Sequence, residues 1–341
     1  MEILGPAAHE VAYYVVSAAV WAPSVHNTQP WRFTASGQDI SLHADAGRRL
    51  RVADPHGREM MISCGAALFN ARLALRSLGY VPRTRVVPDP GEPSLAAHVT
   101  WPERVAATEW EQRLFGQVPR RRTHREGFDP LPLSADLLAA LVAGAQGYGA
   151  MLQVIADQGA RAALAAAVQM AEQAQRLDSA HIRELARWAS PPGSARRDGV
   201  PPTSYPARAG RTFPYFPGRD FAHGRGWGTP RLSSAAASDA AGLVCLLTTP
   251  EDRPAAWVNA GQALQRILLT SAACGVAAAL HSQPLELPWL REFIRMRFCD
   301  GAYPQMILRL GTVIQAVVSI RRPVASVLFA SGGDYRGISH E

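Results

Sequence analysis

A short run near the N-terminus, residues 21–33 with the sequence WAPSVHNTQPWRF, holds the residue types best suited to chemistry. Proline fixes the backbone dihedral φ, so two prolines make this connection stiff. Each amide side chain offers a donor and an acceptor side by side. Such a loop can present fixed hydrogen-bonding edges to a flat heterocycle, and the alternative is an ordinary helix-to-strand turn. The candidate binding residues are Pro23, Ser24, His26, Asn27, Gln29 and Trp31.

A second run, residues 120–125 with the sequence RRRTHR, precedes a predicted helix that starts near Ser134. Clustered guanidinium groups with a neighbouring hydroxyl suit multidentate binding of an anion such as phosphate. A solvated basic turn is the alternative. The candidate anion-binding residues are Arg121, Arg122, Thr123 and Arg125.

Taken together, these two runs resemble motifs of the nitroreductase family of FMN proteins. The first is similar to the motif that borders the flavin in that family. The second is similar to the Arg-Arg-Ser-x-Arg motif that grips the FMN phosphate and ribityl chain. The resemblance therefore implies FMN as the cofactor and NAD(P)H as a possible partner.

Two further segments match the family only through this resemblance. Residues 281–287, HSQPLEL, look like the loop whose backbone N–H groups lie beside flavin N5, although Leu287 replaces the usual glycine. His281 either faces the flavin or forms hydrogen bonds with the free carbonyl groups at a helix C-terminus. Residues 319–324, SIRRPV, resemble the C-terminal basic pair of the phosphate site. The implied binding residues are His281, Gln283, Pro284, Leu285, Glu286, Arg321 and Arg322.

The chain reads as two related halves, residues 1–115 and 116–330. Gly65 to Gly79 aligns with Gly261 to Gly275, and both segments have the apolar spacing of a buried helix. The first half keeps the flavin-edge run and lacks an arginine clamp, whereas the second keeps the clamp and lacks the edge run. The resemblance therefore implies an α+β nitroreductase-like fold in which one chain mimics the family homodimer. A folded monomer with one composite flavin site is expected.

Periodicity and turn residues predict the elements of both halves. The predicted helices are 8–22, 57–79, 134–146, 159–188, 257–280 and 287–297, and the predicted strands are 31–35, 39–44, 83–87, 95–101, 150–155, 241–248 and 304–311.

Residues 189–232 form an insertion that is rich in proline and glycine and has no regular period. Pro and Gly disfavour regular structure, but the aromatic residues argue against a solvated linker. We interpret the insertion as a lid over the site, with a disordered segment or an oligomerisation arm as the alternative. The aromatic candidates are Tyr205, Phe213, Tyr215, Phe216, Phe221 and Trp227.

Composition narrows the function classes. All 35 basic residues are arginine, which excludes a Walker-type phosphate loop and a catalytic lysine. The net charge of +7 is spread along the chain, so nucleic-acid binding is not expected. No metal-binding spacing, signal peptide or membrane-spanning stretch is apparent. Three of the four cysteines, Cys64, Cys245 and Cys274, lie in apolar runs and are expected to be buried thiols in a reducing cytoplasm.

Two functions compete at this stage, and both require FMN. One is a flavoprotein with a covered flavin that sequesters or stores FMN. The other is an oxidoreductase that uses NAD(P)H to reduce nitro or quinone compounds by ping-pong hydride transfer. The fused architecture, the long insertion and His26 in the edge run most resemble the Acg branch, whose members are regarded as poor nitroreductases. A scaffold that has lost its cofactor is a third possibility.

Overall fold

The computed structural model describes residues 8–87, 91–204, 212–221, 239–313 and 319–330. Among these, no helix is both long enough and apolar enough to cross a bilayer. The helices are α1 (Ala8–Ala19), α2 (Arg58–Ser77), α3 (Glu109–Phe115), α4 (Ala135–Gln146), α5 (Gln158–Leu177), α6 (Ser179–Trp188), α7 (Pro254–Ala273) and α8 (Pro288–Phe298). The strands are β1 (Trp31–Ser36), β2 (Asp39–Ala44), β3 (Tyr80–Val86), β4 (Leu95–Arg104), β5 (Met151–Val154), β6 (Leu243–Thr249), β7 (Ala277–His281), β8 (Tyr303–Gly311) and β9 (Leu328–Ala330).

The strands form two sheets with the same internal order. The first sheet runs β3-β4-β2-β1-β9, and the second runs β5-β6-β8-β7. If β5 to β8 are matched in turn to β1 to β4, both sheets have the order first, second, fourth, third, and all these pairs are antiparallel. The last strand, β9, adds to the first sheet in parallel beside β1. The predicted α+β fold with two related halves is confirmed.

Helices α2 and α7 cross at the two glycines that the repeat aligns. A Cβ atom on Gly65 would lie 2.0 Å from the carbonyl oxygen of Val258, and a Cβ on Gly261 would lie 2.0 Å from that of Ile62. Val258 and Ile62 are themselves equivalent positions of the repeat. The contact is therefore reciprocal, as in the interface of a two-fold symmetric dimer. Only glycine permits backbones to approach this closely.

Hydrogen bonds and helix ends reinforce this pairing. The buried Gln265 side chain donates to Oδ1 of Asn70 at 2.7 Å and so links the two helices. Gly79 and Gly275, again equivalent in the repeat, follow the C-terminal ends of α2 and α7 with φ of +78° and +74°. This left-handed conformation ends a helix at little cost only when the residue is glycine.

The structure corrects several predicted boundaries. The predicted helix 257–280 stops at Ala273, and residues 277–281 form β7 instead. The predicted helix 159–188 is divided at Asp178, whose carboxylate accepts from the N–H of Ala180 at 2.8 Å and begins α6. Helix α3 and strand β9 were not predicted. Cys274 is exposed, contrary to expectation, because it lies in the turn after α7.

Candidate functional site

A cavity that opens to solvent lies between the two halves. Its walls come from the edge run, α2, the arginine run, the segment from β7 to residue 283, residues of α7 and β8, residues 319–321, and the insertion. Ten of the predicted site residues line it: Pro23, Ser24, His26, Asn27, Arg121, Thr123, Arg125, His281, Gln283 and Arg321.

The edge run forms a loop with a strained backbone, and polar residues of this loop line the cavity. His26, Asn27 and Gln29 have φ of 52°, 53° and 49°, the left-handed region that favours glycine. Each such residue costs about 1–3 kcal/mol and persists only where its surroundings enforce it. Here the N–H of Gln29 donates to Oγ of Ser24 at 2.9 Å and closes the loop. Strain of this kind clusters at binding sites.

Arg121 and Arg321 bring buried positive charge to the cavity. Arg121 is only 5% exposed and donates to the carbonyl of Trp21 at 3.4 Å, while its Nε and Nη1 have no partner within the described part of the chain. Arg321 donates to Oδ1 of Asn27 at 3.2 Å and to the carbonyl of Trp21 at 3.1 Å, while its Nε meets no acceptor among those same residues. These two residues come from opposite ends of the second half and meet beside the edge run.

The electrostatics of this cluster favour an anion. Burial, followed by the charges of Arg122 and Arg125, lowers the pKa of Arg121 to about 10. Burial, followed by the charges of Arg121 and Arg122, also lowers the pKa of Arg321. Besides burial, the pKa values of Arg121 and Arg321 are thus both lowered by the positive charges of neighbouring arginines. A bound phosphate would offset both the desolvation and the repulsion.

Four of the predicted residues support the loop from outside the cavity. The Arg122 guanidinium lies 5.1 Å from the Trp21 ring centre, and Arg322 donates to the Ser326 carbonyl at 2.8 Å. Trp31 is fully buried in the core of the first half. The Gln29 amide accepts from the N–H of Arg322 at 2.8 Å and donates to the carbonyl of Arg197 at 2.9 Å. These contacts fix the strained loop rather than face the cavity.

The loop after β7 contains the remaining three, Pro284, Leu285 and Glu286, and none of them lines the cavity. The N–H groups of Leu285 and Glu286 donate to the carbonyl of Ser282 at 2.8 and 3.2 Å, so a tight turn already uses them. The Glu286 carboxylate accepts from Arg219 at 2.5 Å, Ser282 at 2.7 Å and Gln175 at 2.7 Å. Glu286 therefore anchors the loop.

His281 ends β7, not a helix, so it does not satisfy a helix C-terminus. Its Nε2 accepts a hydrogen bond from Nε of the buried Arg309 at 2.8 Å. Burial, followed by the charges of Arg309 and Arg219, lowers the pKa of His281 well below its usual value. His281 is therefore neutral, with its proton on Nδ1.

Part of the insertion forms one wall of the cavity. We use the term insertion wall for Gly199, Val200, Pro201, Ser204, Gly218, Arg219 and Phe221. Asn27 holds it through two bonds with Gly199: its Nδ2 donates to the Gly199 carbonyl at 2.9 Å, and its own carbonyl accepts from the Gly199 N–H at 3.2 Å. Arg125 donates to the carbonyl of Ser204 at 2.5 Å. An ion pair between Arg48 and Asp198 adds a further tie to the first half.

The aromatic candidates of the insertion divide into two groups. Phe221 is 5% exposed, lines the cavity and meets the His26 ring edge-on with centres 5.4 Å apart. Phe216 is buried in the core of the second half and also contacts the ring of His281, at 5.4 Å. Phe213 and Tyr215 are 79% and 37% exposed. Tyr205 and Trp227 lie outside the described residues.

The sequence reasoning missed the contribution of α2. Glu59, Ile62, Ser63 and Ala66 all line the cavity. Their spacing of i, i+3, i+4 and i+7 places them on one helix face. The sequence did contain a signal for this contribution. Glu59 is an acidic residue on the apolar face of α2, a helix that the sequence predicts to be buried.

This fold and site define a class: a two-sheet α+β protein with an arginine-lined cavity between related halves. No protein-family model matches the chain. It is 35% identical over 303 residues to "Putative NAD(P)H nitroreductase Rv3131" of Mycobacterium tuberculosis H37Rv, covering 89% of this chain and 85% of that protein. It is 27% identical over 346 residues to "Putative NAD(P)H nitroreductase acg" of the same strain, covering 96% and 98%. The chain belongs to the nitroreductase family, as its motifs predicted.

Comparison with solved structures gives partial matches. A BluB-like flavoprotein from Clostridium difficile 630 matches with a TM-score of 0.40 and 12% identity, covering 65% of this chain and 98% of that one. The FMN-dependent nitroreductase NfnB from Mycobacterium smegmatis, solved in complex with NADPH, matches with a TM-score of 0.34 and 14% identity, covering 60% and 89%.

Proposed function

We propose that the chain is an FMN-binding flavoprotein whose flavin lies in the cavity between the halves and is covered by the insertion wall. The observation that carries this proposal is the buried guanidinium of Arg121, of which one nitrogen, Nη2, donates to the Trp21 carbonyl. Its Nε and Nη1 are buried, and no group of the residues that the structure describes accepts from them. Leaving such donors unpaired is costly, so the site is built for an acceptor that arrives with the ligand.

The donor set fits the two ends of FMN. Arg121, Thr123, Arg125 and Arg321 supply the charged and hydroxyl donors that a phosphate needs. Ser24, His26 and Asn27 present polar groups of a stiff loop, which suits the edge of the flavin ring. When bound, FMN supplies the capacity for hydride and electron transfer. The protein groups bind it, orient it and exclude water.

The equivalent position on the other side of the α2–α7 crossing is filled. By the repeat, the cavity-lining Ser63 and Ala66 correspond to Asn259 and Gln262. The Gln262 amide donates to Oδ1 of Asn259 at 3.1 Å and accepts from Arg72 at 2.6 Å. Asn259 itself lies within α7, which begins at Pro254. The larger Asn259 and Gln262 therefore occupy the positions that Ser63 and Ala66 occupy at the cavity. This difference supports a single flavin site in a monomeric chain.

We expect purified holoprotein, stripped and then titrated with FMN, to bind one FMN per chain. The physical reason is that, among the residues that the structure describes, the arginines and the cavity lie on one side of the crossing, and Asn259 and Gln262 fill the equivalent position on the other. Flavin extracted by denaturation and quantified by absorbance, against protein from amino-acid analysis, measures the ratio. Two flavins per chain, or none, would contradict the proposal.

The insertion wall supports the sequestering function over the oxidoreductase. Hydride transfer requires a nicotinamide stacked on the flavin face with reacting atoms about 3–3.5 Å apart. Phe221 is packed against His26 at this cavity and is held in a small apolar cluster with Leu185, Ala189 and Val200. We infer that this packing limits access to the flavin, so turnover with NAD(P)H is slow.

Replacing Phe221 by alanine should open the wall, and we expect flavin reduction by NADPH or dithionite to accelerate about tenfold, a barrier change near 1.4 kcal/mol. Anaerobic stopped-flow absorbance of the flavin band measures this rate. The matched control is Phe213→Ala, in the same insertion but with an exposed ring. Equal rates for parent, Phe221→Ala and control, with FMN still bound, would count against a covering role.

A further inference from the structure

Glu59 is an acidic side chain placed where a charge is poorly supported. It lies in the first turn of α2, is 2% exposed and lines the cavity. Its Oε1 forms an ion pair with Nη2 of Arg58 at 2.9 Å, and among the residues that the structure describes its buried Oε2 has no hydrogen-bond partner. A carboxylate that accepts two or three hydrogen bonds is stabilised in its charged form. One oxygen of Glu59 lacks this support.

The neighbouring carboxylate, Glu286, shows the contrast. It accepts hydrogen bonds from Arg219, Ser282 and Gln175. Of the two acids, Glu286 therefore has the more hydrogen-bond donors, and the cationic Arg219 forms its ion pair with Glu286. Two buried carboxylates that share one environment do not both ionise readily, so the less supported member keeps its proton.

We propose that Glu59 is a neutral carboxylic acid whose Oε2 donates a hydrogen bond into the cavity, to an acceptor nitrogen or oxygen of the flavin ring. This inference rests on the proposed FMN site. It assigns Glu59 a binding role that is separate from phosphate recognition. A carboxylic acid is the form of this side chain that can donate, since the ionised form only accepts.

The charged groups around Glu59 agree with a retained proton. Burial raises its pKa well above the usual value, and the charges of Glu286 and Asp54 raise it further. The charges of Arg58 and Arg219 lower it but do not reverse the direction. Two of the histidines that line the same cavity, His26 and His281, have pKa values that burial, followed by nearby arginine charges, lowers well below the usual value, so they stay neutral.

Riboflavin is the appropriate probe, because the FMN phosphate itself titrates with a pKa near 6. In the parent protein we expect riboflavin affinity to fall about tenfold as pH rises through the Glu59 pKa, since the donor is lost and a charge appears. In Glu59→Gln, which keeps a donor and the acceptor for Arg58, affinity should be independent of pH. Fluorescence titration between about pH 5 and pH 9 measures both. Glu109→Gln, an exposed site in α3, is the control.

Either a parent profile that is flat or a Glu59→Gln profile identical to the parent's would overturn the inference. If no flavin binds to the parent at any pH, the proposed function fails instead. A measurement on apoprotein then still judges the protonation of Glu59, because it needs no ligand.

That measurement is the unfolding free energy of apoprotein against pH. A carboxyl with a raised folded-state pKa holds its proton more tightly when folded, so its stabilising contribution is lost as pH rises from about 4.3, the unfolded value, through the folded value. The parent should therefore lose stability relative to Glu59→Gln as pH rises. A difference that is constant with pH, or that runs the other way, would show that Glu59 is ionised in the folded protein.

Discussion

Replacing Arg121 by alanine is expected to weaken FMN binding about 10- to 100-fold while leaving riboflavin binding within about twofold. A hydrogen bond to a charged group contributes about 1.5–3 kcal/mol, and each 1.4 kcal/mol is a factor of ten in Kd. Arg121 offers two unpartnered donors in a buried position, so a phosphate gains from both. Riboflavin has no phosphate and should not sense the change. Isothermal titration with the two flavins measures the ratio of the two Kd values.

The neighbouring arginine provides the control. Arg120 is exposed and does not line the cavity, so Arg120→Ala changes the net charge equally and should leave both affinities unaltered. Apoprotein stability adds a second check: burial and the charges of Arg122 and Arg125 disfavour the cationic form of Arg121, so the alanine variant should unfold no earlier than the parent. Equal losses of FMN and riboflavin affinity would mean that Arg121 does not bind the phosphate.

The choice between Arg121 and Arg122 shows where sequence reasoning stops. A run of adjacent arginines predicts an anion site, but neighbouring side chains of an irregular segment point in different directions. The segment is anchored to β7 by the N–H of His124, which donates to the carbonyl of Ala278 at 2.8 Å. In that setting Arg121 faces the cavity and Arg122 packs on Trp21. Only the tertiary contact with β7 decides which arginine is buried.

The boundary between α7 and β7 has a similar cause. Residues 267–280 are a continuous apolar run, and such a run suits a buried helix and a buried strand equally well. Gly275, at φ +74°, ends the helix, and residues 277–281 then pair with β8. Gly275 aligns with Gly79 in the repeat, and both glycines end a helix with positive φ. His281 therefore lies at the end of a strand and not at a helix end.

The sequence of the edge run predicts a binding site, but it does not predict the backbone conformation that this loop adopts. Proline, asparagine and glutamine indicated a stiff polar loop. The left-handed conformations of Asn27 and Gln29 are held by partners far along the chain: Gly199 contacts Asn27, and Arg197 and Arg322 contact Gln29. Nothing local to the run specifies these partners. The conformation of the edge run thus depends on residues of both halves and of the insertion.

The repeat, in contrast, was predictable from the sequence because both halves bury the same helix face.

The same repeat places a glycine at the helix crossing, and a substitution there is expected to have a large effect on stability. Replacing Gly261 by alanine should lower the free energy of unfolding by about 3 kcal/mol or more. The new Cβ would lie 2.0 Å from the Ile62 carbonyl oxygen and 2.8 Å from Cα of Gly65, and neither backbone atom can move alone. Helices α2 and α7 would have to separate. Urea denaturation followed by circular dichroism measures the loss.

The control for Gly261 is Gly147→Ala at the end of α4. Its φ of −59° suits any residue, and a Cβ there would make only ordinary contacts, the nearest at 3.6 Å, so a change within about 0.5 kcal/mol is expected. Because the crossing is reciprocal, Gly65→Ala should cost about as much as Gly261→Ala. One separation of the helices relieves both clashes, so the double variant should lose less stability than the sum of the two single losses. Strictly additive losses, or a neutral Gly261→Ala, would contradict a shared glycine crossing as the internal equivalent of a dimer interface.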